Sequence, residues 1–134
     1  MKFEDLIQIF RSWGHETKPE HYDGFKKYLC EALERNRLIT VRFDDEVEVL
    51  LVFLLTDDYK TIYKKSMWEL PIDNPSGRQI YIDKMICKNW TPSIRRSVQQ
   101  FIEDAFPNVM EGYYHRAPFD RCVKIYRRSV PCTK

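Results

Sequence analysis

No apolar run in the chain reaches the about 18 residues that a helix needs to cross a bilayer. None of the four cysteines, Cys30, Cys87, Cys122 and Cys132, lies in a Cys-x-x-Cys pair. The three histidines, His15, His21 and His115, are not at metal-ligand spacing. A metal centre is therefore not expected, and the thiols read as reduced and mostly buried. Internal repeats and low-complexity segments are missing too, which argues against a solenoid. Glycine is scarce, with four in the chain and none between Ile80 and Phe106. That stretch has a strand-to-helix junction where a phosphate site would ordinarily use glycine.

What is present suits one packed domain. The chain has 134 residues, 43% hydrophobic and 31% charged, enough for a single core. We read 1–134 as one domain, with 129–134 as a C-terminal tail. Residues 1–5, Met-Lys-Phe-Glu-Asp, carry acids where a secretory leader would carry bases. The expectation is a cytoplasmic protein, or a virus-encoded one made in the host cytosol. Charge is uneven. Residues 1–87 hold 13 Lys+Arg against 16 Asp+Glu, and residues 88–134 hold 9 against 4. The basic surplus lies in the last third, where it could draw a phosphate-bearing cofactor, nucleic acid or an acidic protein partner.

Periodicity gives the order of elements. Phe3, Leu6, Ile7, Phe10 and Trp13 follow helical spacing over 3–13, and Gly14 stops the helix. Pro19 suits a first helical position, and Tyr22, Phe25, Leu29, Ala32 and Leu33 form a second apolar stripe. "LITVRF" (38–43) and "VEVLLVFLL" (47–55) flank Asp44-Asp45-Glu46 and predict a hairpin. The second run is apolar almost throughout, as a central strand covered on both faces requires. Residues 56–78 read as a long loop, with a short strand near Met67–Leu70. Residues 79–87 make the next strand and 92–106 a helix, with Thr91 as N-cap and Pro92 at its first position. Two strands, 109–116 and 121–128, close the chain around "APFD". The order α-α-β-β-loop-β-α-β-β predicts an α/β (α+β) domain, a mixed sheet of about five or six strands with helices on its faces. The unit 79–115 should be a right-handed parallel crossover.

This order, and "YIDKMIC" running into "KNWTPSIRRS", resemble the GCN5-related N-acetyltransferases, the GNAT fold, in a degenerate and compact form found among viral and phage proteins. The resemblance covers roughly residues 1–128 and is one of element order more than of motif. It implies that acetyl-CoA or another acyl-CoA lies between the strand 79–87 and the strand after the helix. The pyrophosphate would then lie at the helix start, where free N–H groups and a partial positive charge meet an anion. The cofactor residues it implies are Met85, Ile86, Cys87, Thr91, Ser93, Ile94, Arg95, Arg96 and Ser97. The family's glycine loop is altered. Ser93 and Arg95 stand where glycines are expected, and Ser97 replaces a Gly/Ala. Arg95 and Arg96 could compensate by charge-assisted bonds to phosphate. Asp83 is the candidate general base, and Tyr113 and Tyr114 are the candidate acids for the leaving thiolate. The implied activity is acyl transfer from acyl-CoA to an amine.

Other readings of the same residues stand beside this one. Asp83, taken to share a strand face with Tyr81 and Met85, could equally be a carboxylate paired with a lysine or arginine. Cys87 could be a buried structural cysteine. The two arginines in the first helical turn could answer a local acid. "EGYYHRAPFDRCVKIYRR" interleaves aromatics with Arg116, Arg121, Lys124, Arg127 and Arg128, as single-strand binders do. A solvated sheet face gives the same pattern, and no RNA-binding signature supports it, so nucleic acid is not favoured. The alternative to an enzyme is a non-catalytic structural or binding protein on the same scaffold.

Overall fold

The computed structural model describes residues 2–15, 17–62, 68–116 and 121–129. Helix α1 spans Phe3–Ser12. A 3-10 turn at Pro19–His21 precedes α2, Tyr22–Glu34. Pro19 thus opens the turn, and α2 itself starts three residues later. Strands β1 (Leu38–Phe43) and β2 (Glu46–Thr56) form the expected hairpin. Asp44 and Asp45 both take positive φ, 51° and 64°. That is the two-residue turn whose twist matches a right-handed strand pair. Strand β3 is Gln79–Cys87, α3 is Pro92–Ala105, β4 is Glu111–Arg116 and β5 is Arg121–Arg127. The sequence "APFD" and the tail 130–134 lie outside the described residues.

Between β2 and β3, residues 59–61 form a 3-10 turn. The expected short strand near 67–70 is absent at 68–70, and Met67 lies outside the described residues. Among its described residues the loop is pinned by polar bonds. Arg37 donates two bonds to Asp73, at 2.9 and 2.8 Å, and Asp73 accepts the Leu55 N–H at 2.6 Å.

The five strands are ordered β1-β2-β3-β4-β5 in one mixed sheet. Only the β3–β4 pair is parallel, and α3 makes the crossover between them. The β2 sequence explains the layering. Val49, Leu51, Phe53 and Leu55 face α3 and pack with Ile94, Val98 and Ile102. Leu50, Val52 and Leu54 face α1 and α2, against Leu6, Phe10, Phe25 and Leu29. An unbroken apolar run is what a strand buried on both faces needs. The helix stripes are core as read from the sequence at Phe3, Leu6, Phe10, Phe25, Leu29 and Ala32, whereas Tyr22, counted in the second stripe, is exposed. On β4, a Cβ at Gly112 would lie 3.0 Å from Tyr126 Cβ and 3.1 Å from Ile80 Cγ2, so glycine permits this close packing.

Two irregularities shape the far end of β3. A bulge falls between Ile82 and Lys84, where Val52 pairs with Lys84 and Phe53 with Ile82. The extra residue, Asp83, shifts the strand's phase. Tyr81 packs toward α1 and α2, whereas Met85 packs toward α3. The expectation that Asp83 shares a face with both Tyr81 and Met85 is therefore corrected: Met85 lies on the opposite face. Further on, the β3–β4 pairing ends at Ile82 and Tyr114. Residues 83–87 keep β2 on one side, and no described strand pairs with them on the other. The sheet is splayed there.

Candidate functional site

The splay opens a cleft of about 390 Å³. Its walls are Met85 and Cys87 from β3, Tyr114 from β4, and Val123 and Ile125 from β5. Trp90 and Arg95 stand at the α3 end. The volume lies in the range of ~300–1,000 Å³ usual for small-molecule sites. The lining is mostly apolar. An apolar chain suits such a slot. Burial pushes the Cys87 thiol above its ordinary value. A raised pKa leaves less thiolate, so Cys87 is a wall of the cleft and not an activated nucleophile.

The start of α3 adjoins the cleft through Trp90 and Arg95. Thr91 is the N-cap, and its Oγ1 accepts the Ile94 N–H at 3.1 Å. The Arg95 N–H bonds the Thr91 carbonyl at 3.0 Å. Pro92 has no N–H to offer. The helix start therefore keeps the Ser93 amide for a ligand, where a glycine turn would present several. Ile94 is buried in the core and contributes no side chain to a site. The Ser97 hydroxyl donates to the Ser93 carbonyl at 3.0 Å, and an Arg96 guanidinium nitrogen lies 3.4 Å from Ser93 Oγ. Arg95 and Arg96 are both exposed, and among the described residues neither forms an ion pair with a carboxylate. Two cations at the positive end of a helix dipole are placed to meet an anion.

The candidate acid–base groups divide between the two faces. Asp83, 2% exposed, accepts a hydrogen bond from the Tyr28 hydroxyl of α2. Burial and the neighbouring carboxylate drive the Tyr28 pKa far up. Asp83 is not among the residues lining the cleft. Tyr113 and Tyr114 are neighbours in sequence and point oppositely, as strand geometry demands. Tyr114 lines the cleft. Tyr113 stacks on Tyr59 with ring centres 3.8 Å apart and donates to Glu111 at 2.8 Å. Burial and that bond push it up to about 12. Lys124 pairs with the same Glu111 oxygen at 2.7 Å, and the two contacts hold Glu111 below the usual carboxylate range.

Of the residues singled out in sequence, Met85, Cys87, Tyr114 and Arg95 meet in one cleft. Ile86 faces the other side and lines a second cleft of about 280 Å³ with Phe10, His15, Thr17 and Phe25. Trp90, Val123 and Ile125 belong to the first cleft and were not singled out. The alternation Val123, Ile125 in β5 was the signal, once β5 is known to flank β4. Among the described residues no group of His, Cys, Asp and Glu could hold a metal ion, and no helix is long and apolar enough to cross a membrane. No family model, curated protein or solved structure matches this chain.

Proposed function

We propose that the chain is a GNAT-like acyltransferase that binds acyl-CoA at the splay and passes the acyl group to an amine. The observation that carries this reading is the cleft between parallel strands β3 and β4, which part after Ile82 and Tyr114 beside the start of α3. The apolar walls Met85, Cys87 and Val123 would hold the pantetheine arm. The Ser93 amide and the Arg95 and Arg96 guanidinia would hold phosphate in place of a glycine loop. When bound, acetyl-CoA supplies a carbonyl activated by a thiolate leaving group. Tyr114 is the candidate tyrosine that faces the cleft, and in this reading it meets the sulfur. Asp83 fixes Tyr28 and the bulge that turns Met85 into the cleft.

A second reading keeps the scaffold and omits turnover. It is favoured by the helix cap, which engages the Ile94 and Arg95 amides, and by side chains at the positions where the family has glycine. The cleft would then hold a ligand or partner without chemistry.

Calorimetric titration with acetyl-CoA tests the proposal. Saturable binding is expected, and Met85→Trp, which fills the slot, should abolish it while the far-ultraviolet circular dichroism stays unchanged. Binding that survives Met85→Trp would remove the cleft as the site.

A further inference from the structure

We propose that Gln99 is a positioning residue that sets the width of the splay cleft, and with it the bulk of the group the slot takes, by tying β5 to α3. That this group is the acyl thioester of CoA rests on the reading above; the width of the cleft does not. The two walls come from different parts of the sheet. Met85 and Cys87 stand on β3, and Val123 and Ile125 stand on β5. The inner wall is fixed to α3 through the core, where Ile94 and Val98 pack with Val49 and Leu51 of β2 and with Met85 and Cys87. The outer wall is the last strand of the sheet.

A bulge makes the tie. The β4–β5 register passes from Gly112 opposite Tyr126 to Tyr113 opposite Lys124, so Ile125 is the extra residue. Such a residue leaves the ladder locally and bends its strand. Ile125 and Tyr126 are consecutive, yet both pack into the core on the α3 side. Outside the ladder the Ile125 carbonyl needs a donor, and Gln99 Nε2 gives one at 2.8 Å. A carbonyl only accepts, so the amide nitrogen of Gln99 faces it and not the oxygen.

The tie acts on the lining of the cleft itself. Ile125 is a wall, and Gln99 lies one helical turn after Arg95, which stands at the mouth. β5 meets α3 again at its far end, where Arg128 donates to the Glu103 and Phe106 carbonyls at 3.1 and 3.0 Å. Helix α3 is thus a strut between the two walls. Core packing sets its distance to β3, and one side-chain hydrogen bond sets the distance of β5 beside the cleft. Without that bond β5 keeps its far anchor, and the part that carries Val123 is free to swing away from α3.

The test labels Cys87 with a small and a bulky thiol reagent, iodoacetamide and N-phenylmaleimide, and reads the peptide by mass spectrometry. The ratio of the two rates reports the width of the slot with no ligand present. Gln99→Met keeps the length and helix propensity of the side chain and removes the donor. It should raise the ratio of bulky to small labelling by about three- to tenfold, the shift in population that one hydrogen bond supplies. The far-ultraviolet circular dichroism should stay unchanged. Gln99→Lys keeps a donor of similar reach and should give the wild-type ratio. An unchanged ratio in Gln99→Met, or equal rises in both variants, would overturn the inference. Calorimetry with acetyl-CoA and benzoyl-CoA separates it from the reading above. A wild-type preference for acetyl-CoA should narrow in Gln99→Met, and a preference that stays the same would count against Gln99. If wild type binds neither, the acyl-CoA reading falls and the labelling ratio alone decides on Gln99.

Discussion

The Tyr28 hydroxyl of α2 donates to the Asp83 carboxylate at the bulge of β3. The bond joins a covering helix to the one place where β3 changes phase, and both side chains are almost fully buried. Removing the donor leaves a buried carboxylate with one partner fewer. Tyr28→Phe should therefore destabilise the fold by about 1–3 kcal/mol, read from urea unfolding. Asp83→Asn keeps an acceptor for Tyr28, and its effect should be non-additive with Tyr28→Phe in a double-mutant cycle. Additive effects would mean that the two groups do not act as a pair.

Alkaline stability follows from the same kind of pairing. Tyr113 is pushed up to about 12, and Tyr28 is raised as well. Above a tyrosine's ordinary value of about 10 the unfolded chain loses phenol protons that the folded chain keeps. The unfolded state then binds fewer protons, so stability falls as pH rises. Melting temperature should begin to drop above about pH 10. Tyr113→Phe should flatten part of that drop between about 10 and about 12. A Tyr113→Phe profile that matches wild type would show that this phenol is not linked to folding.

Cys87 offers a probe of the cleft. Its thiol is raised by burial alone. Alkylation by iodoacetamide should be slower than for a free cysteine at neutral pH and should accelerate at a higher pH. Acetyl-CoA should slow it further, since Cys87 is a wall of the proposed slot. Mass spectrometry of the peptide holding Cys87 reads both effects, and fast labelling that is indifferent to acetyl-CoA would contradict them.

Much of the frame was legible in the sequence because it depends on local pattern. The apolar run of β2 announced a strand covered on both faces. Thr91-Pro92 announced the start of α3, and one helix between two β-rich runs announced the parallel crossover. The site was less legible because it depends on pairing at a distance. The bulge at Asp83 exists only against Val52 and Phe53 of β2, so simple alternation put Met85 on the wrong face. Tyr113 and Tyr114 could not be separated until the register of β4 fixed which one faces the cleft. His15 reaches Cys87 across 72 residues of chain. Its only local sign was Trp-Gly-His at a helix end, which reads as a stop signal.

The arginines at the start of α3 should matter through charge. Arg95→Ala and Arg96→Ala should each weaken acetyl-CoA binding several-fold, more at low salt than at high salt, because exposed charges are screened. They should leave the binding of free pantetheine, which carries no phosphate, nearly unchanged. Equal losses for both ligands would place the arginines on the arm and not on phosphate.

The measurement closest to the central claim is the melting curve of the protein in acetyl-CoA. A ligand that binds only the folded chain stabilises it by RT ln(1 + [L]/Kd), about 2.7 kcal/mol at a hundredfold excess over Kd. The account expects a rise of several degrees in millimolar acetyl-CoA for wild type, a smaller rise for Arg95→Ala, and none for Met85→Trp. An unchanged wild-type curve in millimolar CoA and acetyl-CoA would contradict the claim that the splay between β3 and β4 is an acyl-CoA site.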